Sequence, residues 1–235
     1  MNASVPDTGS RCLLDDPAAR AATLFARAAM CTLATQMTFH AALCGGAMLA
    51  AMLAALAKLP AFRRIDWRHV HVCAVDDSWD EATMSELAAS PLRPENIRRP
   101  RSADIARHDA ARRYEQQLAA HFALHAGEVP VFDFMLLEAD AGGGVAGFFR
   151  EDKGAANVTR LVVAHERGLP RVALGLPVID AARSIALACD SSRSPCLDVL
   201  NPKGALHLLS PRTARSSGAA TPPTGRASSR VLPPA

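Results

Sequence analysis

The amino-acid sequence predicts an α/β fold: a doubly wound, mostly parallel sheet with helices on both faces. Three observations carry this. Short apolar runs, such as residues 132–137 and the alternating VHVCAV of residues 70–75, read as strands, the former buried on both faces. Segments with helical spacing separate them, as crossover connections between parallel strands require. The runs end in glycines or acids, at Cys44-Gly45-Gly46, Asp76-Asp77 and the loop through Gly142, Gly143 and Gly144. Such a sheet places its ligand crevice at the strands' carboxyl ends.

Taken in order, Asp15 or Asp16 can cap a helix that starts near Pro17 and continues towards Gln36, because proline's missing N–H costs nothing in the first turn. Residues 38–43 read as a strand, 44–46 as a turn and 47–58 as an apolar helix closed by Pro60. A second parallel strand covers 69–75. Residues 78–101 are polar and proline-containing, a loop with a short helix around 82–88. An amphipathic helix runs from 105 to about 125. After the strand at 132–137 come strands around 158–164, at 171–174 and at 184–189, the last closing the series. The domain is expected to span 16–209, with a flexible segment at 1–15. A disordered tail is expected at 210–235, where serine, proline, threonine and alanine dominate without periodicity.

Composition bounds the function. The chain has 235 residues, 49% of them apolar, enough for a sizeable core. Its net charge of +3 is largely a property of the tail: no acid follows Gly204, whereas Arg212, Arg215, Arg226 and Arg230 do. That argues against nucleic acid as a partner of the fold itself. The six cysteines, Cys12, Cys31, Cys44, Cys73, Cys189 and Cys196, form no CxxC pair and are read as buried thiols of a reducing compartment. No secretory signal is evident at the start, so a cytoplasmic location is expected. Residues 28–57 carry no formal charge, yet threonines, Gln36, His40 and Gly45-Gly46 interrupt them, so no membrane helix is expected.

Four motifs in sequence, LCGGAML from Leu43, IDWRHVHVCAVDD from Ile65, FDFMLLEADAGGG from Phe132 and RVALGLPVIDAAR from Arg171, together resemble the successive signatures of the 6-phosphogluconolactonase family, related to glucosamine-6-phosphate isomerases. The resemblance implies a Rossmann-like fold. It also implies hydrolysis of 6-phosphogluconolactone in the pentose phosphate pathway, without metal or other cofactor, by a monomer whose small-molecule partner is a sugar phosphate. The chain departs from the family in the site. The family's Ser-Gly-Gly-Ser-Thr-Pro is here Cys44-Gly45-Gly46-Ala47-Met48-Leu49, which keeps the glycines and loses the hydroxyls. Gly45, Gly46 and Ala47 remain candidate phosphate contacts through backbone N–H groups at a helix N-terminus; a plain strand-to-helix turn is the alternative. The family's Asp-Glu-Arg is Asp76-Asp77-Ser78, so the phosphate-clamping arginine is gone. Asp76 and Asp77 are candidates for sugar hydroxyls, or solvated turn and cap residues.

In the glycine loop the family's Gly-Met-Gly-Pro-Asp-Gly-His-Thr-Ala-Ser becomes Glu138-Ala139-Asp140-Ala141-Gly142-Gly143-Gly144-Val145-Ala146-Gly147, and the family's histidine falls on Gly144. Lactone hydrolysis needs a base to deprotonate the attacking water, and glycine has none. Reduced or lost catalysis is expected, with Glu138, Asp140 or Asp77 as substitute bases if the chain is active. Gly143 is a further candidate for anion contact. Arg171 matches a family arginine, and Arg193 lies near a family lysine that helps bind phosphate.

A third possibility is a non-catalytic, interacting or regulatory protein, for instance bound to another enzyme of the pathway. His121 and His125 have metal-compatible spacing but no evident third ligand, and His69 and His71 are expected on opposite faces of a strand. Cys44 is either a nucleophile activated at a helix N-terminus or a buried structural thiol.

Overall fold

The computed structural model describes residues 11–14, 16–101, 105–140, 142–149, 160–166, 170–189, 197 and 200–211. Its strands are β1 (Arg11–Leu14), β2 (Phe39–Leu43), β3 (Val70–Ala74), β4 (Ile97–Arg98), β5 (Phe134–Glu138), β6 (Val162–His165), β7 (Arg171–Leu174), β8 (Ser184–Ala188) and β9 (Ala205–Pro211). The helices are α1 (Pro17–Leu33), α2 (Ala47–Ala57), α3 (Glu81–Ala89), α4 (Arg107–His121) and α5 (Leu176–Ala181). Seven strands form one sheet in the order β1-β9-β8-β5-β2-β3-β4, and every pairing in it is parallel.

Period-two alternation builds a core on each face. Phe39, Ala41 and Leu43 of β2, Val70, Val72 and Ala74 of β3, and Phe134 and Leu136 of β5 join α1 and α2 residues such as Phe25, Leu49, Met52 and Leu56. Ala42, Cys73, Met135 and Leu137 point the other way, onto Tyr114 and Leu118 of α4 and Val178 and Ile179 of α5. Asp16 caps α1 by accepting from the Ala19 N–H at 2.9 Å. Asp80 caps α3 through the Thr83 N–H at 2.8 Å.

The structure corrects several sequence expectations. The sheet extends past both expected domain edges: Arg11–Leu14, placed in the flexible segment, pairs with Leu208 to Pro211. Residues 184–189 do not close the series, because β9 follows and pairs with β8. Its ALHLL core is short and lies between Gly204 and the serine- and proline-rich tail, which masked the strand signal. β6 and β7 stand outside the main sheet as an antiparallel pair. α1 stops at Leu33 rather than near Gln36. α4 spans Arg107–His121 rather than 105–125, and Ala123 just beyond it has φ 50°. Cys31 is exposed, whereas Cys44, Cys73 and Cys189 are buried. Residues 212–235 of the expected disordered tail lie outside the described residues. Among the described residues, no helix is long and apolar enough to cross a membrane.

Topology positions the site. From β2 the chain moves outward to β3 and β4, then returns to β5 on the other side of β2 and moves outward to β8 and β9. The adjacent strands β2 and β5 therefore form a topological switch point, and the crevice lies beyond their carboxyl ends. The Cys44 N–H donates to the Leu136 carbonyl at 3.0 Å, which holds the two strand ends side by side.

Candidate active site

The turn after β2 contributes Gly45, Gly46 and Ala47. Gly46, at φ 81°, begins α2, and no side chain caps that helix. Gly46 and Ala47 are exposed, so the start of α2 is open to solvent. Gly45 is buried: a Cβ there would lie 2.9 Å from the Trp79 ring and 3.1 Å from Ser78 Oγ. Trp79, which sequence reasoning missed, is held over this turn by its indole N–H donating to the Leu43 carbonyl at 3.1 Å. The Gly46 N–H is 3.4 Å from Thr83 Oγ1, which accepts from it.

The Cys44 thiol is buried, and burial, with the Glu138 and Asp76 carboxylates adding to it, pushes its pKa well above the usual value. A thiol held protonated is a poor nucleophile. The structural reading of Cys44 fits this environment.

Beyond β3, Asp76 is buried at 6% exposure. It accepts from the Ser78 N–H at 3.1 Å and from the Ser78 hydroxyl. Its other oxygen lies 3.4 Å from Nη1 of Arg171. The pair forms because β7 adds to the extension of β3: the Leu174 N–H donates to Val75 O at 2.8 Å and the Asp77 N–H to Val172 O at 2.9 Å. Two residues 95 positions apart are thus joined by an edge the sequence did not reveal.

The glycine loop differs from expectation. Its N–H groups turn inward: those of Gly142 and Gly144 each donate to Asp140 Oδ1 at 2.8 Å, and that of Gly143 donates to the Asp140 carbonyl at 2.9 Å. Gly143 is therefore not an open anion contact, because the loop's concavity holds the chain's own carboxylate. Asp140 is committed to the same loop rather than directed at a substrate. A Cβ on Gly144 would stand 2.7 Å from Asp140 Oδ2 and 2.6 Å from the Phe149 ring. The loop then closes in a tight hairpin turn, Val145 pairing with Phe148, with φ of 52° at Ala146 and 85° at Gly147. Both central residues are left-handed, as a type I′ turn demands.

Glu138, at the carboxyl end of β5, is exposed, and burial of part of its carboxyl, with the Asp76 charge adding to it, raises its pKa. His165 is a second residue that sequence reasoning missed. It sits opposite Arg171 in the β6–β7 register, its ring 4.5 Å from that of Phe148 and edge-on to it. The Gly147 backbone packs on both, a Cβ there falling 2.9 Å from His165 and 3.1 Å from Arg171. A histidine six residues before the motif arginine was the available signal. Arg193 lies outside the described residues. The structure thus brings Cys44, Asp76, Glu138 and Arg171 together at the strand ends, with Gly45 packed against Ser78 and Trp79 and Asp77 tied to Val172.

The two histidine pairs go elsewhere. His121 packs on His40 and His71, with centroids 5.0 and 4.9 Å away, while His69 lies 3.9 Å from Asp66. Among the described residues, no group of three or more His, Cys, Asp or Glu side chains is arranged to hold a metal ion.

The family model described as glucosamine-6-phosphate isomerases/6-phosphogluconolactonase matches residues 14–197. The chain belongs to this family. A 6-phosphogluconolactonase of Synechocystis sp. is 31% identical over 121 residues, 51% of this chain and 50% of that protein. The chain thus spans about half the length of the curated relative it matches. The solved 6-phosphogluconolactonase of Trypanosoma brucei is 17% identical with a TM-score of 0.73, over 88% of this chain and 97% of that one. That of Thermotoga maritima is 15% identical with a TM-score of 0.69, over 87% and 100%. At these identities the solved structures establish the α/β fold.

Proposed function

We propose that this family member binds a sugar phosphate in the crevice and hydrolyses 6-phosphogluconolactone only weakly. The observation that carries this reading is position 144, where a glycine stands and Asp140 and Phe149 occupy the space a side chain would need. Opening the lactone requires water to add to the ring carbonyl carbon while a base removes its proton. The ring C–O bond then breaks and the alkoxide takes up a proton. Without a base, about a hundredfold to ten-thousandfold in rate is lost. Binding is less affected, because the first turn of α2 still offers N–H groups to an anion and Arg171 stands nearby.

The test is turnover of freshly prepared 6-phosphogluconolactone, corrected for spontaneous opening, alongside calorimetric binding of 6-phosphogluconate. Binding with little turnover is expected; turnover at ordinary enzymatic rates removes the proposal.

One observation favours a second reading, an active lactonase with Glu138 as base. Its carboxyl pKa is raised by desolvation and by Asp76, the direction a general base at neutral pH requires. Glu138→Gln would then abolish whatever turnover the natural chain has, whereas under the first reading it changes little.

A further inference from the structure

A cavity of ≈ 800 Å³ opens at the β4 edge of the sheet, away from the crevice between β2 and β5. That volume lies in the usual range for small-molecule sites. One wall is apolar, from Met84, Ala88, Leu92 and Ile97; the other carries Arg98, Arg99, Arg101, Gln117 and His121, and among the described residues the lining holds no acidic side chain. Behind the basic wall the polar groups are incompletely satisfied. Arg98 Nη1, His121 Nε2 and His71 Nδ1 are buried and make no hydrogen bond among the described residues.

A guanidinium has donors only, and a buried donor without an acceptor costs about 1–3 kcal/mol, more when charged. Burial first, and then the charge of Arg98, disfavours protonation of His40 and His121, and burial, His40 and Arg98, in that order, disfavour protonation of His71. Together these groups form a concave, positively charged pocket whose unmet requirement is an acceptor with negative charge.

We propose that this cavity is a binding site for a phosphomonoester with an apolar or aromatic moiety, its phosphate accepting from Arg98, His121 and the rim arginines and its apolar part lying against Met84, Leu92 and Ile97. A phosphate presents several acceptor oxygens to a guanidinium cluster, which a carboxylate matches less fully. The apolar wall distinguishes such a ligand from inorganic phosphate. Nothing in this assignment depends on lactone chemistry in the crevice.

Phenyl phosphate is the probe, titrated into the full chain while the imidazole signals of His71 and His121 are followed by NMR, with inorganic phosphate as the comparison. Both signals shift saturably, and phenyl phosphate binds more tightly. Arg98→Met weakens binding about tenfold or more, the equivalent of one charge-assisted hydrogen bond. Arg101→Gln, an exposed rim change that leaves the fold intact, weakens it several-fold. Ala47→Glu, an exposed change that sets a carboxylate in the first turn of α2 beside the crevice and suits a helix N-terminus, leaves it unchanged. Imidazole signals that stay fixed, equal affinity for the two anions, indifference to both Arg98 and Arg101, or loss of binding in Ala47→Glu would each overturn the proposal.

Discussion

Oδ2 of Asp140 stands 2.7 Å from the point a Cβ on Gly144 would occupy, so an aspartate at one position and a glycine at the other depend on each other. Gly144→Ala is expected to destabilise the chain by about 1–3 kcal/mol through overpacking. In an Asp140→Gly background the same change should cost less, because the nearer Phe149 ring is a side chain able to rotate away. A double-mutant cycle in urea measures the coupling. Additivity within about 0.5 kcal/mol would show the two positions to be independent.

The same relationship governs any attempt to introduce a base. Gly144→His alone has no place for an imidazole and should give no gain in lactone turnover. Combined with Asp140→Gly, which restores the family's glycine at 140, the histidine gains room, and turnover should rise by about a hundredfold if general-base catalysis is what the natural chain lacks. Steady-state kinetics on freshly made lactone decides. A double variant no faster than the natural chain would place the deficit elsewhere in the crevice.

Arg171 and Asp76 form a largely buried ion pair, with 16% and 8% of their side chains exposed. Arg171→Met leaves Asp76 its two contacts from Ser78, but a desolvated negative charge faces an apolar side chain. The expected loss is about 2–4 kcal/mol. Asp76→Asn in the same chain should recover part of it, since the charge is then gone. Denaturant unfolding of the two variants checks this, and equal stability of single and double variants would remove the charge argument.

The sequence revealed the sheet's centre more completely than its edges. β2, β3, β5 and β8 announce themselves because strands buried on both faces are apolar throughout, whereas their order across the sheet, and with it the switch point, is visible only in the fold. β1 was missed because it pairs only with β9, at the far end of the chain, and β9 because its short ALHLL core runs straight into the serine- and proline-rich tail. The glycine loop was legible as a site but not in its conformation. Three consecutive glycines suggest open N–H groups, and only the fold shows Asp140 taking them. His165 and the His40–His71–His121 cluster depend wholly on tertiary contacts, because they are assembled from strands and a helix without local spacing.

Thiol reactivity tests the burial pattern. Cys31 is exposed at the end of α1, whereas Cys44 and Cys73 are enclosed, and burial pushes Cys73 to about 12 and Cys44 well above its usual value. Reactivity requires thiolate and access. Under native conditions iodoacetamide should label the Cys31 peptide long before those of Cys44 and Cys73, as read by mass spectrometry. Early labelling of Cys44 would revive it as an activated nucleophile.

The histidine cluster should make the fold acid-sensitive. Burial, followed by the Arg98 charge, lowers His40 to about 4. Burial, then His40, Arg98 and His69, lowers His71 to about 4. Burial, then Arg98, His40 and His71, lowers His121 to about 3. These groups titrate near 6.5 in the unfolded chain, so below that pH the unfolded state binds more protons than the native one. Their stabilising contribution is complete above pH 6.5 and is lost as the pH falls towards 4, by up to about 1.4 kcal/mol per pH unit for each imidazole, less where water reaches the ring. Asp133, 4.0 Å from His40, acts in the opposite sense: burial raises its carboxyl pKa, so the native state takes up that proton first and offsets part of the loss at the acidic end. Urea midpoints measured between pH 7 and pH 5 should therefore fall, and His121→Phe should flatten the slope. A pH-independent midpoint in the natural chain would mean that the three rings are solvated in solution.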